Sequence, residues 1–132
     1  MNDDLSDALV LYEQSVGQDP HNLNAYQYIA SLHYRNRRYH QAEKAMEHVL
    51  DAFPDHFPSL KMMSNIQAAL GRASDAADTM GAAYRVPGDR THTGVTYVRL
   101  LLEAGRRDEA IQVMTSNPEL NAHPRLRDVS GP

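Results

Sequence analysis

Apolar positions along this chain recur at the three-and-four spacing of helices, and polar turns separate one recurrence from the next. Residues 22–35 place Leu23, Tyr26, Ile29, Ala30 and Leu32 on one stripe. Residues 39–52 do the same with Tyr39, Ala42, Ala45, Met46, Val49 and Leu50. Between them lies Arg35-Asn36-Arg37-Arg38, a polar turn in which Asn36 is the expected left-handed residue. Gly71 and Gly105 are expected to play that part in the two later turns, since glycine accepts positive φ without strain. Asp55-His56-Phe57-Pro58 and Pro87-Gly88-Asp89 have the residues that open helices. The pattern predicts seven helices. A lone helix spans about 4–18, and pairs follow at 22–35 with 38–52, 57–70 with 73–85, and 91–104 with 107–116. Nothing reads as strand.

These stripes repeat. Ala8, Ala42, Ala76 and Ala110 recur with a 34-residue period, each followed one helical turn later by Tyr12, Met46, Met80 or Met114. Pro20 and Pro54 share the period, and Pro87 arrives one residue early. Upstream, Tyr26-x-x-Ile29-Ala30-x-x-His33 aligns with Leu60-x-x-Met63-Ser64-x-x-Gln67 and with Gly94-x-x-Tyr97-Val98-x-x-Leu101. Alanine at the recurring position lets two helix backbones approach, and the bulky residue one turn later fills the gap beside it.

The 34-residue period and these positions resemble the tetratricopeptide repeat family over about residues 3–118. The family's usual Trp slot holds Tyr26, Leu60 and Gly94, and its usual Tyr slot holds His33, Gln67 and Leu101. The resemblance implies an all-α fold, a right-handed α-solenoid of antiparallel helix pairs, each pair burying apolar surface against its neighbours. The expected layout is one domain over residues 1–132. It has a lone second-type helix at 4–18, repeats at 22–54, 57–87 and 91–118, and a flexible tail at 119–132. Leu5, Leu9, Tyr12 and Val16 should bury one stripe of the lone helix. Pro118 and Pro124 interrupt the tail, so a short turn near 125–129 is expected there and a full capping helix is not.

Composition narrows the function. Thirteen Lys and Arg against seventeen Asp and Glu give a net charge of −4, a poor match for nucleic acid or anionic lipid. There is no Cys, which excludes disulfides, thiolate metal sites and a cysteine nucleophile. No apolar run approaches a membrane span, and the first four residues lack a basic signal start, so a cytoplasmic location is expected. No motif of a catalytic nucleophile, phosphate loop or zinc protease is present, and no cofactor or enzymatic activity is expected. His40, Glu43 and Glu47 share a helix face and read as a solvated surface rather than a metal site. His33 occupies a core-facing slot and is expected to be hydrogen-bonded. Residues 1–20 carry Asp3, Asp4, Asp7, Glu13 and Asp19 with no Lys or Arg, an acidic helix that could meet Arg35–Arg38 of another copy.

The resemblance also implies a concave groove lined by the first helix of each pair. Helical phase assigns to it Asn24, Gln27, Tyr28, Ser31 and Arg35, then Lys61, Met62, Asn65 and Ala69, then Val95, Thr96, Arg99 and Glu103. Of these, Gln27, Tyr28, Ser31, Arg35, Lys61, Met62, Asn65, Val95, Thr96 and Arg99 are the candidate partner-binding residues. Amides suit a peptide backbone, and Lys61 and Arg99 suit a carboxylate. Lys61 and Asn65 resemble the opening pair of the clamp with which some relatives hold acidic chaperone tails. Thr96 stands where the next Asn belongs, so the clamp is incomplete. The expected function is a non-catalytic adaptor, assembly factor or chaperone-like scaffold holding a partner's peptide or helix in the groove. Self-association through the solenoid ends is an additional expectation. The alternatives are a repeat segment of a larger enzyme and, from residues 94–110, a pentatricopeptide-like RNA binder, which the charge and the 34-residue period oppose.

Overall fold

A computed structural model describes residues 3–19 and 21–129, with side chains from residue 7 onward. The helices are α1 (Asp3–Gln18), α2 (Leu23–Arg35), α3 (Tyr39–Ala52), α4 (Phe57–Ala69), α5 (Ala73–Tyr84), α6 (Thr91–Glu103), α7 (Arg107–Ser116) and α8 (Pro118–Asn121). A 3-10 turn at Pro124–Leu126 closes the described chain. The first seven fall where the sequence pattern puts them, with small differences at their ends, and the eighth is additional. No strand occurs among the described residues. Each helix packs on its neighbours in sequence, and α8 also reaches back to α6.

The recurring alanines make this stacking possible. Ala42, Ala76 and Ala110 are completely buried, as are Met46 and Met114 one turn on. At the second crossing the helices come close enough for the Ser64 hydroxyl to donate to the Ala76 carbonyl at 2.7 Å. That bond satisfies a buried polar side chain where α4 crosses α5. Two apolar clusters result. One gathers Leu9, Ile29, Ala42, Met46, Met63 and Ile66, and the other Leu60, Met80, Val98, Leu101, Met114 and Leu126, with Leu50 packed against both. Leu9 is buried and Tyr12 and Val16 pack on the first cluster, as the stripe of α1 requires. The side chain of Leu5 lies outside the described residues, as does Pro20.

The turns inside the pairs follow the same register, with one correction. Gly71 and Gly105 have φ of 79° and 75°. Their equivalent in the first pair, one period before Gly71, is Arg37 rather than Asn36, and Arg37 has φ 60°. Asn36 instead ends α2 by donating from its side-chain amide to the Leu32 carbonyl at 2.8 Å. The residue after each left-handed position is an arginine: Arg38, Arg72 and Arg106. Arg72 reaches Glu43 on the preceding second helix. Arg106 reaches Asp78 at 2.8 Å and the Ser74 hydroxyl at 3.0 Å. Arg72 and Arg106 thus tie consecutive pairs together at one edge. Arg106 also pairs with Glu109, whose carboxyl it holds below the usual carboxylate range.

Residues 119–129 depart from the sequence reading of a flexible tail over 119–132, of which 130–132 lie outside the described residues; as expected there is a short turn and no full-length capping helix. Leu120 and Leu126 are completely buried and Val129 nearly so. The Arg107 guanidinium donates to the Val129 carbonyl. The cause lies in α6, where Gly94 stands in the slot that Tyr26 and Leu60 fill in the earlier pairs. A Cβ at Gly94 would come within 2.9 Å of both Leu120 methyls and 2.7 Å of the Tyr84 ring. Leu120 and Tyr84 therefore supply the bulk that α6 itself lacks, and α8 is held down as a cap.

Candidate functional site

Five residues predicted for the groove come together around one concavity, Met62 among them. Asn24, Gln27, Tyr28 and Ser31 of α2 face Pro58 and Met62 of α4 across a space of about 300 Å³. Pro58, read from the sequence only as a helix opener, stands one period after Asn24 and so occupies the same place on the next first helix. Tyr28 is 55% exposed, and its ring stacks on Tyr12 of α1 with centroids 5.0 Å apart and planes 20° from parallel. Tyr28 thus lines the concavity with its ring braced by Tyr12. The Met62 side chain opposite is unbranched and polarisable, suited to fitting varied apolar groups. The amides of Asn24 and Gln27 and the hydroxyl of Ser31 bring donors and acceptors to the rim.

The other predicted residues have different placements. Lys61 lies over the Phe57 ring with its ammonium 5.3 Å from the centroid, and Arg90 covers the same ring at 3.7 Å. The Lys61 charge is thereby drawn toward Phe57, which weakens the clamp reading further. Asn65 and Arg99 are exposed on α4 and α6 at equivalent positions of successive repeats, and Arg35 is exposed at the end of α2. None of the three lines the concavity. Thr96 is half-buried and its hydroxyl donates to the His92 carbonyl of its own helix at 3.3 Å. Val95 is a correction: it is 2% exposed and belongs to the core beside Leu60 and Met80, so it offers no surface to a ligand. The pattern that assigns it to the groove takes α6 to bury one stripe, but Thr93, Gly94 and Val95 in succession are all buried in the folded chain.

Two further features bear on chemistry. His33 is buried as expected, yet its Nδ1 has no hydrogen-bond partner. Burial and then the nearby Arg38 charge hold its pKa below the ordinary imidazole value, opposed by Glu13. His40 Nδ1 is 4.0 Å from a Glu43 oxygen, and Glu43 is engaged by Arg72. A second concavity of about 350 Å³ lies between α5 and α7, lined by Tyr84, Tyr97, Gln112 and Asn117 among others. No motif in the sequence signals it. No helix among the described residues is long and apolar enough to cross a membrane.

Antiparallel helix pairs at a 34-residue period, stacked so that successive first helices share one face, define a helical-repeat solenoid. The chain belongs to the tetratricopeptide repeat family, whose sequence model matches residues 1–70. Solved structures share the fold. MamA from Desulfovibrio magneticus RS-1, residue 41 to its end, superposes with a TM-score of 0.71 at 14% identity, covering 89% of this chain and 67% of that one. MamA of MSR-1 gives 0.68 at 18% identity, covering 90% and 68%. YrrB, described as a TPR protein with an unusual peptide-binding site, gives 0.71 at 20% identity, covering 87% and 61%. The chain therefore spans about two thirds of the length of these structures or less. No curated protein matches it in sequence.

Proposed function

We propose that this protein is a non-catalytic interaction module that holds a peptide or helical segment of a partner protein between α2 and α4. The observation that carries the reading is the concavity in which Tyr28, Met62 and Pro58 face the amides of Asn24 and Gln27. A bulky apolar side chain of the ligand enters between the Tyr28 ring and Met62, and the amides hold the neighbouring peptide groups. Arg99 and Asn65, farther along the same register, meet acidic or polar residues of a longer ligand. The peptide-binding site named for YrrB supports the same use of the fold. The test is affinity capture from the source lysate with wild type and a Ser31→Glu/Met62→Glu variant of equal helicity. A partner captured by wild type and lost by the variant supports the reading. Equal capture by both overturns it.

A further inference from the structure

The second concavity, of about 350 Å³ between α5 and α7, is built where the chain departs from its own repeat. Tyr84, Tyr97 and Asn117 line it, at positions that hold Leu50, Met63 and Ala83 one period earlier. Those earlier residues are apolar fill: Met63 and Ala83 are buried, and Leu50 packs on both clusters. In the concavity the same positions carry groups that hydrogen-bond. Gly81 completes the change, since one period earlier its place is taken by Glu47. A Cβ at Gly81 would stand 2.8 Å from the Tyr97 ring and 3.0 Å from the Tyr97 hydroxyl oxygen. Glycine there is what lets the ring lie against α5. Tyr97 is 6% exposed, yet its hydroxyl bonds to no described residue and is not sealed from solvent. A side chain otherwise buried thus brings an unpartnered hydroxyl to the concavity that it lines. The volume falls among those of small-ligand sites, about 300–1,000 Å³.

Charge selects the ligand. The concavity has two charged lining residues, Arg85 and Glu109. Both Glu109 oxygens accept from Arg106, at 2.9 and 2.8 Å, so that charge is already matched. Arg85 is exposed at the end of α5 and makes no hydrogen bond or ion pair with any described residue, Asp55 in the smaller space beside it included. The unmatched charge of the site is therefore positive. The Tyr97 hydroxyl and the exposed Gln112 amide add neutral donors, and Tyr84 and Val113 add apolar surface. A guanidinium beside neutral donors fits a carboxylate. We propose that the concavity between α5 and α7 binds a small carboxylate, its carboxyl group met by Arg85 and the Tyr97 hydroxyl and its apolar body lying against Tyr84 and Val113. The carboxylate belongs to a free organic acid or to the carboxyl end of a peptide. The site shares no residue with the concavity between α2 and α4, and the inference does not depend on how that concavity is used.

The experiment is an NMR titration of the full chain, at constant ionic strength, with phenylacetate and with N-acetyl-glycyl-phenylalanine. The amide of each probe serves as its uncharged control. The expected result is saturable shifts at the side-chain amides of Gln112 and Asn117, half-complete at about 5 mM or below for one or both acids. Each amide control binds about tenfold more weakly than its acid, and Arg85→Gln removes about the same factor. Tyr97→Phe weakens binding severalfold and leaves the melting temperature unchanged, because the lost hydroxyl bonds nothing in the protein. Arg85 is exposed, so Arg85→Gln keeps the fold, and equal helicity verifies it. The Ser31→Glu/Met62→Glu variant binds both acids as wild type does, which separates this site from the one between α2 and α4. Tighter binding of the dipeptide acid assigns the site to a peptide's carboxyl end, and tighter binding of phenylacetate assigns it to a free acid. Shifts that do not saturate by about 50 mM of either acid overturn the proposal. Equal binding of acid and amide, or binding indifferent to Arg85→Gln or to Tyr97→Phe, overturns it too.

Discussion

Leu120 occupies the volume that a side chain at Gly94 would need, and both of its methyls lie within 2.9 Å of where that Cβ would stand. One glycine in α6 thus decides whether the end of the described chain is a cap or a loose end. Replacing Gly94 with Leu would restore the bulk seen at Leu60 and expel Leu120. Overpacking of this kind costs about 1–3 kcal/mol. The expected outcome is loss of amide protection across residues 118–129 in hydrogen exchange, with protection in α2 to α4 unchanged. Leu120→Ala should release the same segment without strain in α6.

Arg37 sits at φ 60° where the two later turns have glycine. A left-handed conformation costs a non-glycine residue about 1–2 kcal/mol, offset in part by the greater entropy that glycine loses on folding. Arg37→Gly should therefore stabilise the protein by about 1 kcal/mol, a rise of a few degrees in melting temperature for a chain of this size. Asn36→Gly should destabilise, because Asn36 is not left-handed and its side chain closes α2. Thermal denaturation of the two variants side by side checks both signs.

His33 makes the stability of the first pair depend on pH. Burial and Arg38 lower its pKa from 6.5 in the folded chain. Below pH 6.5 the unfolded chain takes up a proton that the folded chain resists, so stability is full above that pH and declines as pH falls toward the lowered value. His33→Leu introduces the residue found at the equivalent Leu101 and removes an unpaired buried nitrogen. The variant should be more stable than wild type and should lose this part of the acid sensitivity. Denaturant midpoints measured between about pH 7.5 and about pH 5 give the comparison, and parallel curves for the two proteins would contradict it.

The helices, their pairing and the concavity are legible because the 34-residue period writes the same contacts three times. Ala42, Ala76 and Ala110 announce the crossings, and Asn24, Gln27, Tyr28, Ser31 and Met62 follow from helical phase. What the sequence hides arises where one repeat differs from the others. Gly94 looks like a weak match to a large-residue slot, and only packing shows that Leu120 and Tyr84 fill it. Val95 is misplaced as well, because α6 buries more than the single stripe that its spacing implies. Lys61 reads as a free cation, but the neighbouring Phe57 ring draws it aside, a contact that spacing along one helix does not reveal. The arginines at 38, 72 and 106 are visible as a repeat. Yet Glu43 and Asp78, through which Arg72 and Arg106 reach the preceding pair, stand one residue out of register with each other.

The proposed binding surface is the space between α2 and α4. The most direct test is to pan a peptide library displayed on phage against the immobilised protein and titrate the selected peptides into wild type and into Ser31→Glu/Met62→Glu. The account predicts peptides that share a bulky apolar residue and bind the variant at least about tenfold more weakly, the size of effect expected when a central anchor is lost. Peptides without a common apolar residue, or with equal affinity for both proteins, would contradict it.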